Sequence, residues 1–240
     1  MKITAAAVKT EVARLADPAR ATFLQRFFRT GKGEYAEGDL LLGLTVPQQR
    51  TIAKHFRDLP LPEIEKLLRS KFHEHRLIAL ILLCGRYERA YGDSEQREEL
   101  HQFYLQHTAW VNNWDLVDAS ARTMVGEHIV PAQYALLDRL AESDSLWERR
   151  IAIVSTYASI RKGELAPTFR IARRLLHDHH DLIHKAVGWM LREAGKQSPA
   201  ELLEFLEKHY ARLPRTTLRY AIERFPEARR KLLLRGEFGT

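Results

Sequence analysis

Apolar residues recur along this chain at the three-and-four spacing of an α-helix, segment after segment, with proline and glycine at the breaks. Ile64, Leu67 and Leu68 share one such stripe; Leu77, Leu80, Ile81 and Cys84 share the next. Side chains three and four apart lie on one helix face, so each stripe is a surface that must be buried. The breaks fall at Asp17-Pro18, Leu59-Pro60, Gly92-Asp93, Pro131, Gly163, Ser198-Pro199, Leu213-Pro214 and Phe225-Pro226, where a ring without an N–H or a residue without a Cβ ends a helix. Ser198-Pro199-Ala200-Glu201 reads as an N-cap, a proline in the first turn and an acid at the third helical position. The segments run roughly 10–18 residues, which predicts about fourteen helices and an all-α fold class. Only residues 39–44 carry a short strand-like apolar run. Helix pairs at intervals of about 35–45 residues suit a HEAT-like helical-repeat solenoid, roughly six repeats forming a single domain over 1–240.

Several classes are set aside by composition. No apolar run approaches the ~20 residues of a membrane helix, and the opening MKITAAAVKTEVARL lacks the apolar core of a signal peptide; the cytoplasm is the expected compartment. The single cysteine, Cys84, excludes an intramolecular disulfide and a cysteine-rich zinc site. It lies in a leucine-rich helical stripe and is expected to be a small buried hydrophobe. The net charge is +7, and residues 121–240 hold 21 basic and 15 acidic residues, against 17 and 16 in residues 1–120. A basic half favours a polyanionic partner such as nucleic acid, met on a concave basic face.

Three segments combine aromatic, carboxylate and guanidinium groups. In Asn112-Asn113-Trp114-Asp115-Leu116-Val117-Asp118, Trp114 and Asp118 are i and i+4 and share a helix face, while Asp115 is placed to meet the helix dipole. In Leu146-Trp147-Glu148-Arg149-Arg150-Ile151 two arginines enter an apolar stretch, where one of them must flank the buried stripe and is suited to grip a phosphate or pair with Asp118. In Lys185-Ala186-Val187-Gly188-Trp189-Met190-Leu191-Arg192, Gly188 in mid-helix costs about 1 kcal/mol relative to alanine and signals close approach of a backbone or a ligand, and Trp189 and Arg192 share a face. Trp110 and Trp147 are expected to pack helix interfaces. Aromatic faces attract cations and sugar C–H edges, and a carboxylate stabilises developing positive charge.

These three segments, together with Leu42-Gly43-Leu44-Thr45-Val46-Pro47, resemble the AlkD-like DNA alkylation repair family. The motifs run from about residue 42 to 195, and the helix order is compatible over nearly the whole chain. The resemblance implies an all-helical HEAT-like solenoid and a DNA glycosylase that excises N3- and N7-alkylated purines from duplex DNA. It also implies the roles: Asp118 as catalytic carboxylate, Trp114 and Trp189 against the deoxyribose, Arg150 holding the backbone near Asp118, and Arg149, Lys185 and Arg192 as DNA contacts. No metal or cofactor is implied, and a monomer acting on double-stranded DNA is expected. Two departures stand out. The segment at residues 31–39 is long and acidic, and Thr45 replaces a polar side chain of greater reach. Two alternatives remain open at this point: a catalytically silent binder of damaged or branched DNA, and a protein-interaction scaffold.

The remaining motifs carry less. The glycines of Gly31-Lys32-Gly33-Glu34-Tyr35-Ala36-Glu37-Gly38-Asp39 lack the preceding strand and GK[ST] ending of a phosphate loop, and their acids would repel phosphate. His177-Asp178-His179-His180-Asp181 has no helical ligand pair with a third group in view and is expected to be a solvated loop. The basic run 224–235 is expected to be a solvated capping helix.

Overall fold

A computed structural model describes residues 3–239. The fold is all-α. Fifteen α-helices and several short 3₁₀ turns are present among the described residues, and no strand. None of the described helices is long and apolar enough to cross a membrane. The chain forms two compact units, Met1–Ser120 and Ala121–Thr240.

The first unit contains α1 (Ala5–Arg14), α2 (Pro18–Phe27), α3 (Val46–His55), α4 (Leu61–Leu68), α5 (His73–Arg89) and α6 (Ser94–Gln106), and α7 (Trp114–Ala121) closes it. α5 is the central helix, packed against α1, α3, α4 and α6. It is buried on nearly every side, including the polar residues His73, Glu74, His75 and Arg76 of its first turn. Buried polar groups need partners, and each of these side chains has one at one of its atoms, while His73 Nδ1, Glu74 Oε2, His75 Nε2 and Arg76 Nε have no hydrogen-bond partner among the described residues. Glu74 is 1% exposed and its Oε1 accepts the Leu42 and Gly43 amides at 2.9 and 2.7 Å. The expected strand at 39–44 is instead a single parallel bridge, Leu40 to Phe72. The run is held at the start of α5: its Leu42 and Gly43 amides go to the Glu74 carboxylate and its Leu40 amide to the Lys71 carbonyl.

That pinning positions α2. Gly43 is left-handed, with φ +88°, and a Cβ there would collide with the Asp17 carbonyl oxygen and approach the Ala21 nitrogen. The Asp17 amide in turn donates to the Leu42 carbonyl at 2.8 Å. Only glycine permits both the conformation and the contact, which gives the Leu42-Gly43-Leu44 turn its physical reason. Thr45 N-caps α3 in a capping box with Gln48, so its short side chain serves the helix end.

The second unit contains α8 (Ala135–Ala141), α9 (Leu146–Ser155), α10 (Tyr157–Arg161), α11 (Ala166–Arg174), α12 (Asp181–Gln197), α13 (Pro199–His209), α14 (Arg215–Ala221) and α15 (Glu227–Leu234). α12 is its central helix, packed on α9, α10, α11, α13 and α14. Ser198 caps α13 through the Glu201 amide, with Pro199 in the first turn, as the sequence predicts. The close approach expected at Gly188 is to a backbone: a Cβ would lie 2.5 Å from Tyr220 Cβ and 2.7 Å from the Thr217 carbonyl oxygen on α14. Cys84 is buried, and Trp147 is buried on α9.

Two mid-helix glycines therefore predict opposite outcomes. Gly188→Ala forces α12 from α14 and should cost about 1–3 kcal/mol. At Gly85, in α5, the only neighbour of a new Cβ is the flexible end of Arg89, at 3.4 Å, so Gly85→Ala should raise stability by up to about 1 kcal/mol through helix propensity. Urea unfolding of the two variants checks both signs.

Candidate nucleic-acid interface

Trp114 opens α7. The Asn113 side chain, fully buried, accepts from the Trp114 amide at 2.8 Å, and Asp115 Oδ1 accepts from Leu116 at 2.9 Å, so two of the amides exposed at the helix start are satisfied. The indole packs on the cluster of Ala21, Phe28 and Leu41, beside Leu24. It stacks on Phe28 at 5.5 Å and meets Phe27 edge-on at 5.8 Å. Its N–H donates to the Tyr35 hydroxyl, whose pKa burial nonetheless raises. The ring is half-buried, and Asp118, one turn later, is partly exposed. Their i,i+4 spacing places them on one face of α7, as the sequence reading expects.

Beneath this ring lies a buried charge cluster. His73 is 2% exposed. Its Nε2 lies 2.8 Å from Asp115 Oδ2, its Nδ1 lies 3.8 Å from Asp39 Oδ2, and its ring packs 4.7 Å from Phe28. Arg76 forms an ion pair with Asp39 and donates to the Ser70 carbonyl at 2.8 Å. Burial opposes the charge on His73, but Asp115 and Asp39 outweigh it and lift the ring to about 9. His75, two residues on, goes the other way: burial, with Lys9 and Arg76 nearby, lowers it to about 4, and its Nδ1 meets Ser70 Oγ at 2.8 Å. Asp115 is thus the carboxylate partner of His73 as well as a first-turn acid.

The acids of residues 31–39 divide, with Glu34 and Glu37 exposed and Asp39 buried. Glu34 accepts the Gly31 amide at 2.9 Å, Glu37 accepts the Gly33 amide at 2.8 Å, and Asp39 joins the buried cluster. Of the loop's glycines, Gly33 and Gly38 are left-handed.

In the second unit Arg150 is buried, and its Nη1 donates to the Leu182 carbonyl at 2.7 Å, tying α9 to α12. Arg149 points elsewhere. Its Nε pairs with Asp178 at 2.6 Å and its Nη1 donates to the Ser143 and Asp144 carbonyls. Of the two arginines, Arg150 is buried and Arg149 is partly exposed. Trp189 is half-buried on α12. Lys185 pairs with Asp181 at 2.7 Å, lowering the Asp181 pKa. Arg192 pairs with Glu223 and lies 3.5 Å from Glu193. Arg149, Lys185 and Arg192 each carry an acidic partner that a phosphate would have to displace or share.

The histidine-rich segment is not a simple solvated loop. The Asp178 side chain is buried against Arg149, its backbone oxygen lies 2.6 Å from His184 Nε2, and His180 Nδ1 accepts the Leu182 amide. Among the described residues no group of three His, Cys, Asp or Glu forms a metal cage. In the basic run, Arg229 donates to the Phe238 and Gly239 carbonyls and Arg235 pairs with Glu237, so α15 is fastened to the chain that follows it rather than merely solvated.

The comparisons with known proteins fall on this geometry. A family model described as DNA alkylation repair enzyme matches residues 8–225. The chain belongs to the DNA alkylation repair enzyme family. A solved structure titled "Predicted DNA alkylation repair enzyme from Enterococcus faecalis" shares its fold, with a TM-score of 0.68 at 18% identity, covering 88% of this chain and 97% of that one. No curated protein matches the chain significantly.

The two histidines set a pH signature. Between pH 6.5 and 9 the native state keeps a proton on His73 that the unfolded chain has released, so its contribution falls as pH rises through that window. Between pH 6.5 and 4 the unfolded chain binds a proton at position 75 that the native state refuses, so that contribution falls as pH drops. Denaturant midpoints measured across the alkaline window should decline, and Asp115→Asn should flatten that decline while lowering stability near pH 6.5.

Proposed function

We propose that this chain is a monofunctional DNA N-glycosylase that excises N3- and N7-alkylated purines from duplex DNA, acting in the cytoplasm as a monomer, with the whole chain read as one HEAT-like repeat domain presenting a concave basic face. The observation that carries the reading is the setting of Trp114. Its ring is stacked, edged and hydrogen-bonded by Phe28, Phe27 and Tyr35, one helical turn before a partly exposed carboxylate, in a family whose members are described as DNA alkylation repair enzymes.

The chemistry suits those groups. Alkylation at N3 or N7 leaves the purine with a formal positive charge, so it departs as a neutral base without a general acid. Breaking the N-glycosyl bond develops oxocarbenium character on the sugar. A carboxylate at Asp118 stabilises that cation and orients the attacking water. The faces of Trp114 and Trp189 add cation–π and C–H contacts to the deoxyribose. Arg150, already fixed on the Leu182 carbonyl, holds the backbone near the carboxylate, and Arg149, Lys185 and Arg192 exchange acidic partners for phosphates. No step calls on a cofactor.

The test is release of N7-methylguanine from a methylated duplex by the wild type and by Asp118→Asn. Release well above the spontaneous rate, reduced at least about a hundredfold in the variant, is expected from loss of one electrostatic stabiliser. Salt-sensitive DNA binding without base release would replace the glycosylase with a non-catalytic binder of damaged DNA, and no salt-sensitive binding would leave a protein scaffold.

A further inference from the structure

α2 is a helix with its apolar residues on the wrong side. Only Ala21 in it is buried, and Leu24 is half-buried. Phe23 is 67% exposed and Phe27 53%, and at i and i+4 they form one outward stripe. The stripe does not end in solvent. Phe27 meets the Trp114 ring edge-on at 5.8 Å, and Phe23 lies one turn before it on the same face. Single exposed apolar residues are ordinary, but two exposed phenyl rings on one face beside a half-buried tryptophan are the kind of surface that marks a binding site.

Exposed cations and exposed acids both surround this row: Asp17, Glu34 and Glu37 face solvent as well. Arg20, Arg26, Arg29 and Lys32 are all exposed, and none has an acidic partner among the described residues. Of the acids, Glu34 and Glu37 accept amides of their own loop. Arg29 adds a further oddity. It is the only described non-glycine residue with positive φ, at 52°, directly after the Phe28 cap of α2, where glycine would sit without strain. An arginine is kept where folding would prefer glycine.

Resting on the DNA-directed reading above, we propose that the outer face of α2 is a wedge for nucleic acid: Phe23 and Phe27 stack against bases unstacked beside the lesion, while Arg20, Arg26, Arg29 and Lys32 take the flanking phosphates. The occupant is a polyanion with exposed aromatic faces. Four exposed cations without an ion-pair partner among the described residues call for the first property, and two outward phenyl rings, one of them edge-on to a tryptophan, call for the second. The wedge supplies the distortion that brings the damaged sugar to Trp114 and Asp118 without requiring a deep base pocket.

The experiment uses the full chain and a duplex carrying a tetrahydrofuran abasic analogue with 2-aminopurine opposite it. Anisotropy reads binding at several salt concentrations, and 2-aminopurine fluorescence reads unstacking. The wild type should bind with a steep salt dependence and brighten the probe. Phe23→Ala, which removes a ring without an aromatic contact among the described residues, should bind on the order of tenfold more weakly and lose the brightening. Arg29→Gly should melt at a higher temperature than the wild type yet bind more weakly, with a salt slope smaller by about one; a change that only disturbed folding would move both together. Salt-dependent binding with no brightening, or a Phe23→Ala variant indistinguishable from the wild type, overturns the wedge while leaving DNA binding intact. A wild type without salt-dependent binding overturns the DNA reading itself, and the wedge with it. A sedimentation shift from dimer to monomer on Phe23→Ala would show that a second copy covers the face, and would also overturn the proposal.

Discussion

The imidazolium of His73, held between Asp115 and Asp39 and backed by Arg76, is the interaction on which the first unit's candidate site depends. A buried charge is costly unless paired, and breaking such a pair is more damaging than never having built it. Here the pairs join parts of the chain far apart in sequence. Asp39 comes from the glycine-rich segment, His73 and Arg76 from the start of α5, and Asp115 from the start of α7. Phe28 lies on His73 and Trp114 lies on Phe28. The order of construction is thus charge cluster, phenyl ring, indole, and the outermost layer is the one available to a ligand.

This arrangement separates two kinds of acid that composition cannot. Asp39, Asp115 and Glu74 are structural: they neutralise buried cations or take backbone amides, while Glu34 and Glu37 of the same glycine-rich segment as Asp39 remain exposed. Asp118, on the Trp114 face of α7, is the carboxylate assigned to the chemistry in the proposed reaction. The cations divide in the same way. Arg76 and Arg150 are buried in the framework. Arg149, Lys185 and Arg192 are half-committed to acids, and those on α2 have no acidic partner among the described residues.

Much of this was legible in the sequence, for local reasons. Helix periodicity, the Ser198 cap, the burial of Cys84, the Gly188 contact and the shared face of Trp114 and Asp118 all depend on residues within a few positions of one another. What escaped depends on distant partners. Nothing near His73 announces Asp115, 42 residues away, and Asp178 looks like a loop acid until Arg149 reaches it from α9. Residues 39–44 read as a strand because their apolar run is real, while the Glu74 carboxylate that replaces a neighbouring strand lies on another element. The outward face of α2 is not legible in the sequence because its phenylalanines break the buried stripe that helical periodicity marks. Their outward placement becomes visible only when the inner face is known.

The most direct measurement is an NMR pH titration of the His73 ring in the folded protein, with Asp115→Asn to confirm the assignment. The buried cluster predicts a ring that stays protonated through neutral pH and titrates near 9, falling in the variant. A His73 that titrates at or below its ordinary value of 6.5, and is unmoved by Asp115→Asn, would show that no charge cluster supports the Trp114 platform.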